Sequence, residues 1–105
     1  MSKSSKTSLI WGQKAQADLD RLYNFLAQHN PDAARRAIQA IENGADLLVR
    51  FPLIGRQMNA PDERELYVPF GKANYILRYY IAEDEIIILR AWHSRENRPG
   101  WADKA

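Results

Sequence analysis

Cysteine is absent from all 105 residues, and with it go disulfides, thiolate nucleophiles and cysteine-held metals. A reducing cytoplasm suits such a chain. Long apolar runs are also missing: no stretch approaches the ~20 residues of a membrane helix, and the opening residues 1–6 are polar, without the apolar core of an export signal. The expectation is a cytoplasmic protein that does not engage a membrane. There is no glycine-rich phosphate loop and no metal-ligand spacing, so no cofactor and no metal site are expected. A strong excess of one charge is lacking too. The formal net charge is +2, with seven basic and five acidic residues through Pro52 and eight of each from Leu53 onward. Counterion-driven nucleic-acid binding draws on a concentrated basic face, which here must be assembled by folding.

What is present suffices for one core: 46% hydrophobic and 27% charged residues, with no repeat or low-complexity block. One domain over residues 7–98 is expected, with 1–6 and 99–105 as flexible or docked tails. Residues 7–11 (Thr-Ser-Leu-Ile-Trp) are β-prone and break at Gly12, which predicts a first strand inside the sheet or at its edge. Over residues 13–29, Ala15, Leu19, Leu22, Tyr23 and Leu26 make one helical stripe. Asn30 then caps a second helix with Pro31 at its first position, and Ala34, Ile38, Ile41, Ala45 and Leu48 form its stripe to about Val49. So short a connection makes the helices antiparallel neighbours. Gly44 inside the second helix suggests a close contact, and Phe51-Pro52 ends it.

Residues 53–62 read as a loop. After it the apolar period becomes two, giving strands at residues 64–68, 74–81 and 85–92, the last with the continuous run Ile86-Ile-Ile-Leu89. The predicted class is α+β, with the order strand, helix, helix, strand, strand, strand and the last three as an antiparallel meander. The helices cover one face, which leaves Arg78 and Tyr80 on a candidate working surface.

His93, in Trp92-His-Ser-Arg-Glu-Asn-Arg98, admits two readings: a proton-transfer group, or a structural histidine bonded to the strand end. Ser94 beside it makes a poor nucleophile partner, since neighbours in extended chain point apart. Arg90, Arg95 and Arg98, with Arg78 alongside, suit recognition of anions or acidic protein surface, or else pair with nearby Glu83, Asp84, Glu85 or Glu96. Asp18, Asp20 and Arg21 read as a polar outer helix face. Glu63 and Glu65 share a strand face but flank Arg64 and lack a second acid–base element. Trp11, Tyr23, Phe25 and Phe51 read as core, and Trp101 as a tail aromatic docked on its own domain.

Six segments together resemble the RelE/ParE superfamily of type II toxins: Ala17-Asp-Leu, Asn30-Pro-Asp-Ala-Ala34, Phe51-Pro-Leu-Ile-Gly-Arg56, Arg64-Glu-Leu66, Tyr75-Ile-Leu-Arg-Tyr79 and Ile86-Ile-Ile-Leu-Arg-Ala-Trp-His93. The resemblance runs from about Leu9 to Arg98 and implies the β-α-α-β-β-β fold. RelE-like members cut messenger RNA on the ribosome, and in that branch an arginine follows the aromatic opening the third strand. Here that position is Ile76. The lysines of that branch after the second helix are missing, with Arg56 and Arg64 the only basic residues between Phe51 and Tyr67, and Ser94 replaces the tyrosine after the histidine.

The ParE branch is more similar. It implies a plasmid-stabilisation toxin that inhibits DNA gyrase without catalysis, neutralised by a cognate antitoxin and meeting operator DNA only through it. Arg90, His93, Arg95 and Arg98 cluster at one strand end and are the candidates for the target surface, while Leu19, Tyr23, Ile38, Ile41 and Tyr80 are the candidates for an antitoxin helix and an extended segment laid on the helices and the sheet. The alternative, ribosome-dependent cleavage of mRNA, would use His93, Arg95 and Arg78. A third reading is a non-toxic antitoxin-binding module.

Overall fold

The two apolar stripes become α1 (Gln13–Ala27) and α2 (Pro31–Arg50) in the computed structural model, which describes residues 7–96. The Asn30 side-chain oxygen accepts the Ala33 amide at 3.1 Å, and Pro31 fills the first helical position. Ala15 and Leu22 of α1, and Ala34, Ile41, Ala45 and Leu48 of α2, are buried, while Leu19, Leu26 and Ile38 pack against them more openly.

The strands are β1 (Ser8–Trp11), β2 (Arg56–Gln57), β3 (Glu63–Phe70), β4 (Ala73–Ile81) and β5 (Glu85–His93). They form one sheet in the order β1-β5-β4-β3-β2. The last three make the expected antiparallel meander, turning at Gly71, whose φ of 63° lies in the left-handed region that glycine tolerates. β1 is an edge strand and runs parallel to β5, which the helical crossover between them permits. The segment expected to be a loop after α2 is more ordered than that: it holds a 3-10 turn, Pro52–Ile54, and the two residues of β2 paired to β3.

Tyr75, Leu77 and Tyr79 of β4 join Ile86, Ile88 and Ala91 of β5 beneath the helices. The alternate residues Ile76 and Trp92, opposite each other in register, form a separate buried pair. A bulge between Arg78 and Tyr79 leaves Leu89 as the extra residue on β5. The helix-free face is not the open working surface expected of it. Arg78 there is only 7% exposed, held by Glu65 at 2.6 and 3.1 Å and by Glu63 at 3.6 Å, although Tyr80 is exposed.

Gly44 is a true close approach. A Cβ on it would lie 2.6 Å from Cγ2 of buried Val68, a branched side chain that is stiff about its first torsion. Gly44→Ala should therefore cost about 1–3 kcal/mol by overpacking, despite the ~1 kcal/mol that alanine gains in helix propensity. Urea unfolding reads this directly, and a stabilised variant would contradict the contact.

Candidate functional site

An aspartate within an apolar helical stripe must find cations or donors when the helix docks, and Asp18 does so at β5. It was expected on the outer face of α1, yet it is only 4% exposed. It accepts two hydrogen bonds from Arg90, at 2.8 and 3.1 Å, one from the Ala91 amide at 2.9 Å and one from Arg21 at 3.3 Å. Burial is the largest influence on the Asp18 carboxyl and works to raise its pKa. The bonds from Arg90 and Ala91, the charge of Arg90 and the bond from Arg21 outweigh it, leaving the pKa below the usual carboxylate value. The same pair holds the Arg90 guanidinium above its ordinary value, chiefly through the hydrogen bond to Asp18.

From Asp18 the network continues outward. Arg21 also bonds the Ala91 carbonyl and pairs with Glu96, and Glu96 in turn accepts the His93 amide at 2.8 Å. The turn after β5 is thus tied to α1 through alternating charges. His93 Nδ1 accepts the Arg95 amide at 3.0 Å, so in the neutral ring the proton sits on Nε2, which is then a donor. The ring meets Tyr75 edge-on, with centroids 5.1 Å apart. Ser94 does not face the imidazole: its Oγ accepts the Asn74 amide at 3.1 Å.

Beside this turn lies a cleft of about 500 Å³, apolar from Leu22, Phe25, Leu26 and Tyr75 and polar from Arg21, His93, Arg95 and Glu96. Phe25, expected in the core, is 65% exposed at this cleft. Burial, followed by the negative charge of Glu96, raises the Tyr75 pKa above its ordinary value.

The expected target residues are therefore divided. His93 and Arg95 stand together at the cleft, whereas Arg90 is engaged by Asp18 rather than by Glu83, Asp84, Glu85 or Glu96. Arg98 and Trp101 lie outside the described residues. Of the expected antitoxin contacts, Tyr80 is exposed and Tyr23, Leu19 and Ile38 partly so, but Ile41, on the inner side of α2, is fully buried and offers a partner no surface. Asp18 and Glu96 were missed as site residues. The signal for Asp18 was its place inside the Ala15–Leu22 stripe. Among the described residues, no three His, Asp or Glu side chains converge as a metal site. Nor is any described helix long and apolar enough to cross a membrane.

Residues 9–98 match the family model described as the ParE toxin of the type II toxin–antitoxin system parDE. The chain belongs to the ParE toxin family. Toxin RelE3 of Caulobacter vibrioides is 39% identical over 91 residues, covering 87% of this chain and 98% of that protein. Toxin RelE1 of the same organism is 34% identical, over 81% of this chain and 90% of its own length. Among solved structures, the chromosomal ParDE system from P. aeruginosa superposes with a TM-score of 0.71 at 30% identity, covering 86% of this chain and 98% of that one. This ParE-family chain is thus the toxin of a type II pair, and such toxins pair with a cognate antitoxin.

Proposed function

We propose that this toxin poisons DNA gyrase by binding it, without cutting RNA, and is free to do so only when its antitoxin is lost. The observation that carries this reading is Ile76. Where the RNA-cutting branch would present an arginine to the scissile phosphate, this chain has a hydrocarbon buried against Trp92. Two further features support it. Arg78, the nearest cation on β4, is committed to Glu65 and Glu63, and His93 has its Nδ1 lone pair engaged by a backbone amide. A general base needs a free lone pair within reach of the ribose hydroxyl.

The surface offered to the target is then the β5 turn, with Arg95, the donor face of His93 and the cleft beside Phe25. Arg95→Glu should weaken growth arrest at least about 10-fold in the inducer needed, because reversing an exposed interfacial charge penalises encounter and docking. The melting temperature should be unchanged, since the Arg95 side chain is exposed. Unaltered arrest with an intact fold would remove Arg95 from the surface. Ribosome-dependent cleavage of mRNA, with His93 and Arg95, stays a second reading because relatives of this chain carry the name RelE. Mapping transcript ends during induction separates the two: the gyrase reading predicts no new cuts within codons, and reproducible cuts would replace it.

A further inference from the structure

Four of the large apolar side chains exposed in the described residues fall within eight positions of the C-terminal end of α2: Leu47, Phe51, Leu53 and Ile54. Leu53 is 67% exposed and Ile54 49%. Such a cluster costs solubility unless something covers it. The backbone that presents it is held firmly. The Tyr79 hydroxyl donates to the Pro52 carbonyl at 2.6 Å and accepts the Gly55 amide at 2.9 Å, while Arg64 donates to the carbonyls of Leu53 and Gly55 at 3.2 and 2.8 Å. A Cβ on Gly55 would sit 2.5 Å from the Tyr79 oxygen, so the contact needs this glycine. Two side chains of the sheet, the buried Tyr79 and the partly buried Arg64, thus fix a projecting apolar knob. A knob ordered before binding loses little entropy when a partner closes on it.

The border of the knob is mostly cationic, although Asp46 lies beside Leu47 and Arg50. The Arg50 guanidinium lies 5.8 Å from the centre of the Phe51 ring, Arg64 bonds the loop itself, and the Arg56 side chain is 66% exposed just beyond it. A second copy of this chain would bring the same arginines face to face. An amphipathic segment with carboxylates flanking its apolar residues fits instead.

We infer that the Phe51–Ile54 knob, with Leu47, seats an acidic amphipathic segment of the cognate antitoxin. The inference rests on membership of the toxin–antitoxin family and not on the gyrase reading. It moves the antitoxin seat away from the helical stripe, where Ile41 is buried and Leu19 and Ile38 are partly covered by their packing against the core. It also separates that seat from the β5 cleft. The cleft is walled by the C-terminal half of α1, and the antiparallel hairpin puts the end of α2 at its other extremity.

The test uses the purified complex with the cognate antitoxin. Leu53→Ser with Ile54→Ser should weaken antitoxin affinity by at least about 30-fold, the scale of an interface hot spot. Arg50→Gln, at an exposed cation beside Phe51, should weaken it several-fold, with a flatter salt dependence. Growth arrest without antitoxin and the melting temperature should both stay at wild-type values. Hydroxyl-radical footprinting of the unmutated complex reads the same surface without any variant, and should show Phe51 and Leu53 protected. Unchanged affinity and unprotected side chains overturn the proposal. Loss of arrest with antitoxin affinity intact would assign the knob to the target instead, and a wild-type dimer dissolved by the double variant, with affinity again intact, would assign it to self-association.

Discussion

Asp18→Asn should lower the stability of the fold by about 2–4 kcal/mol, because it leaves the Arg90 guanidinium without its carboxylate and offers one acceptor where the aspartate offers two. For a domain of this size that is a fall of roughly 10–20 °C in melting temperature. Asparagine keeps the shape, so the loss reports charge and hydrogen bonding rather than a cavity. The pH dependence carries an independent signature. The Asp18 pKa in the fold is below its unfolded value of about 3.9. A depressed carboxylate contributes stability that is fully present above the unfolded pKa and disappears as pH falls through the folded one. The difference between wild type and Asp18→Asn should therefore be constant from pH 7 to about 5, narrow below about 4, and vanish under the folded pKa. Chemical unfolding across that range checks it. A difference that widens in acid would mean that Asp18 is not held ionised by Arg90.

Arg78→Ala should be comparably severe, at about 3 kcal/mol, since it removes the closest cation from a glutamate whose side chain is fully buried. Arg56, 3.6 Å from the other Glu65 oxygen and itself largely exposed, offsets part of the loss. Glu65→Leu with Arg78→Met should recover most of it, because neutralising both members removes the desolvated charge as well as the attraction. The comparison also bears on function. If Arg78 served an RNA-cutting centre, the double variant would fold and yet lose toxicity. As a structural ion pair, it should leave growth arrest in step with the amount of folded protein. Thermal melts and induced growth curves on the same three chains decide between them.

Much of the fold was legible because the apolar period changes from helical to alternating between Phe51 and Arg64, and because Asn30-Pro31 and Phe51-Pro52 punctuate the chain by backbone chemistry alone. The meander followed from short turns. The parallel pairing of β1 with β5 was not legible, since a four-residue strand carries no mark of its partner. The candidate site was read less well, and for one reason: side-chain charges were assigned from local neighbours, whereas their partners are distant in sequence. Arg90 was given acids from its own hairpin and found Asp18, 72 positions away. Glu63 and Glu65 were weighed only for acid–base work, and Arg78 on the facing strand was not recognised as their counterion. Phe25 and Phe51 looked like core because aromatics usually are. Their exposure depends on where the helices project past their packing partners, which periodicity does not encode.

A gyrase poison of this kind acts on its target by occupancy alone. Purified toxin, added to gyrase with relaxed plasmid and ATP and in parallel to translating ribosomes carrying a defined message, tests this most directly. Supercoiling should fall and cleaved-DNA complexes accumulate in proportion to toxin, with both effects reversed by antitoxin and the message left whole. Supercoiling untouched at saturating toxin, with the message cut in the ribosomal reaction, would contradict it.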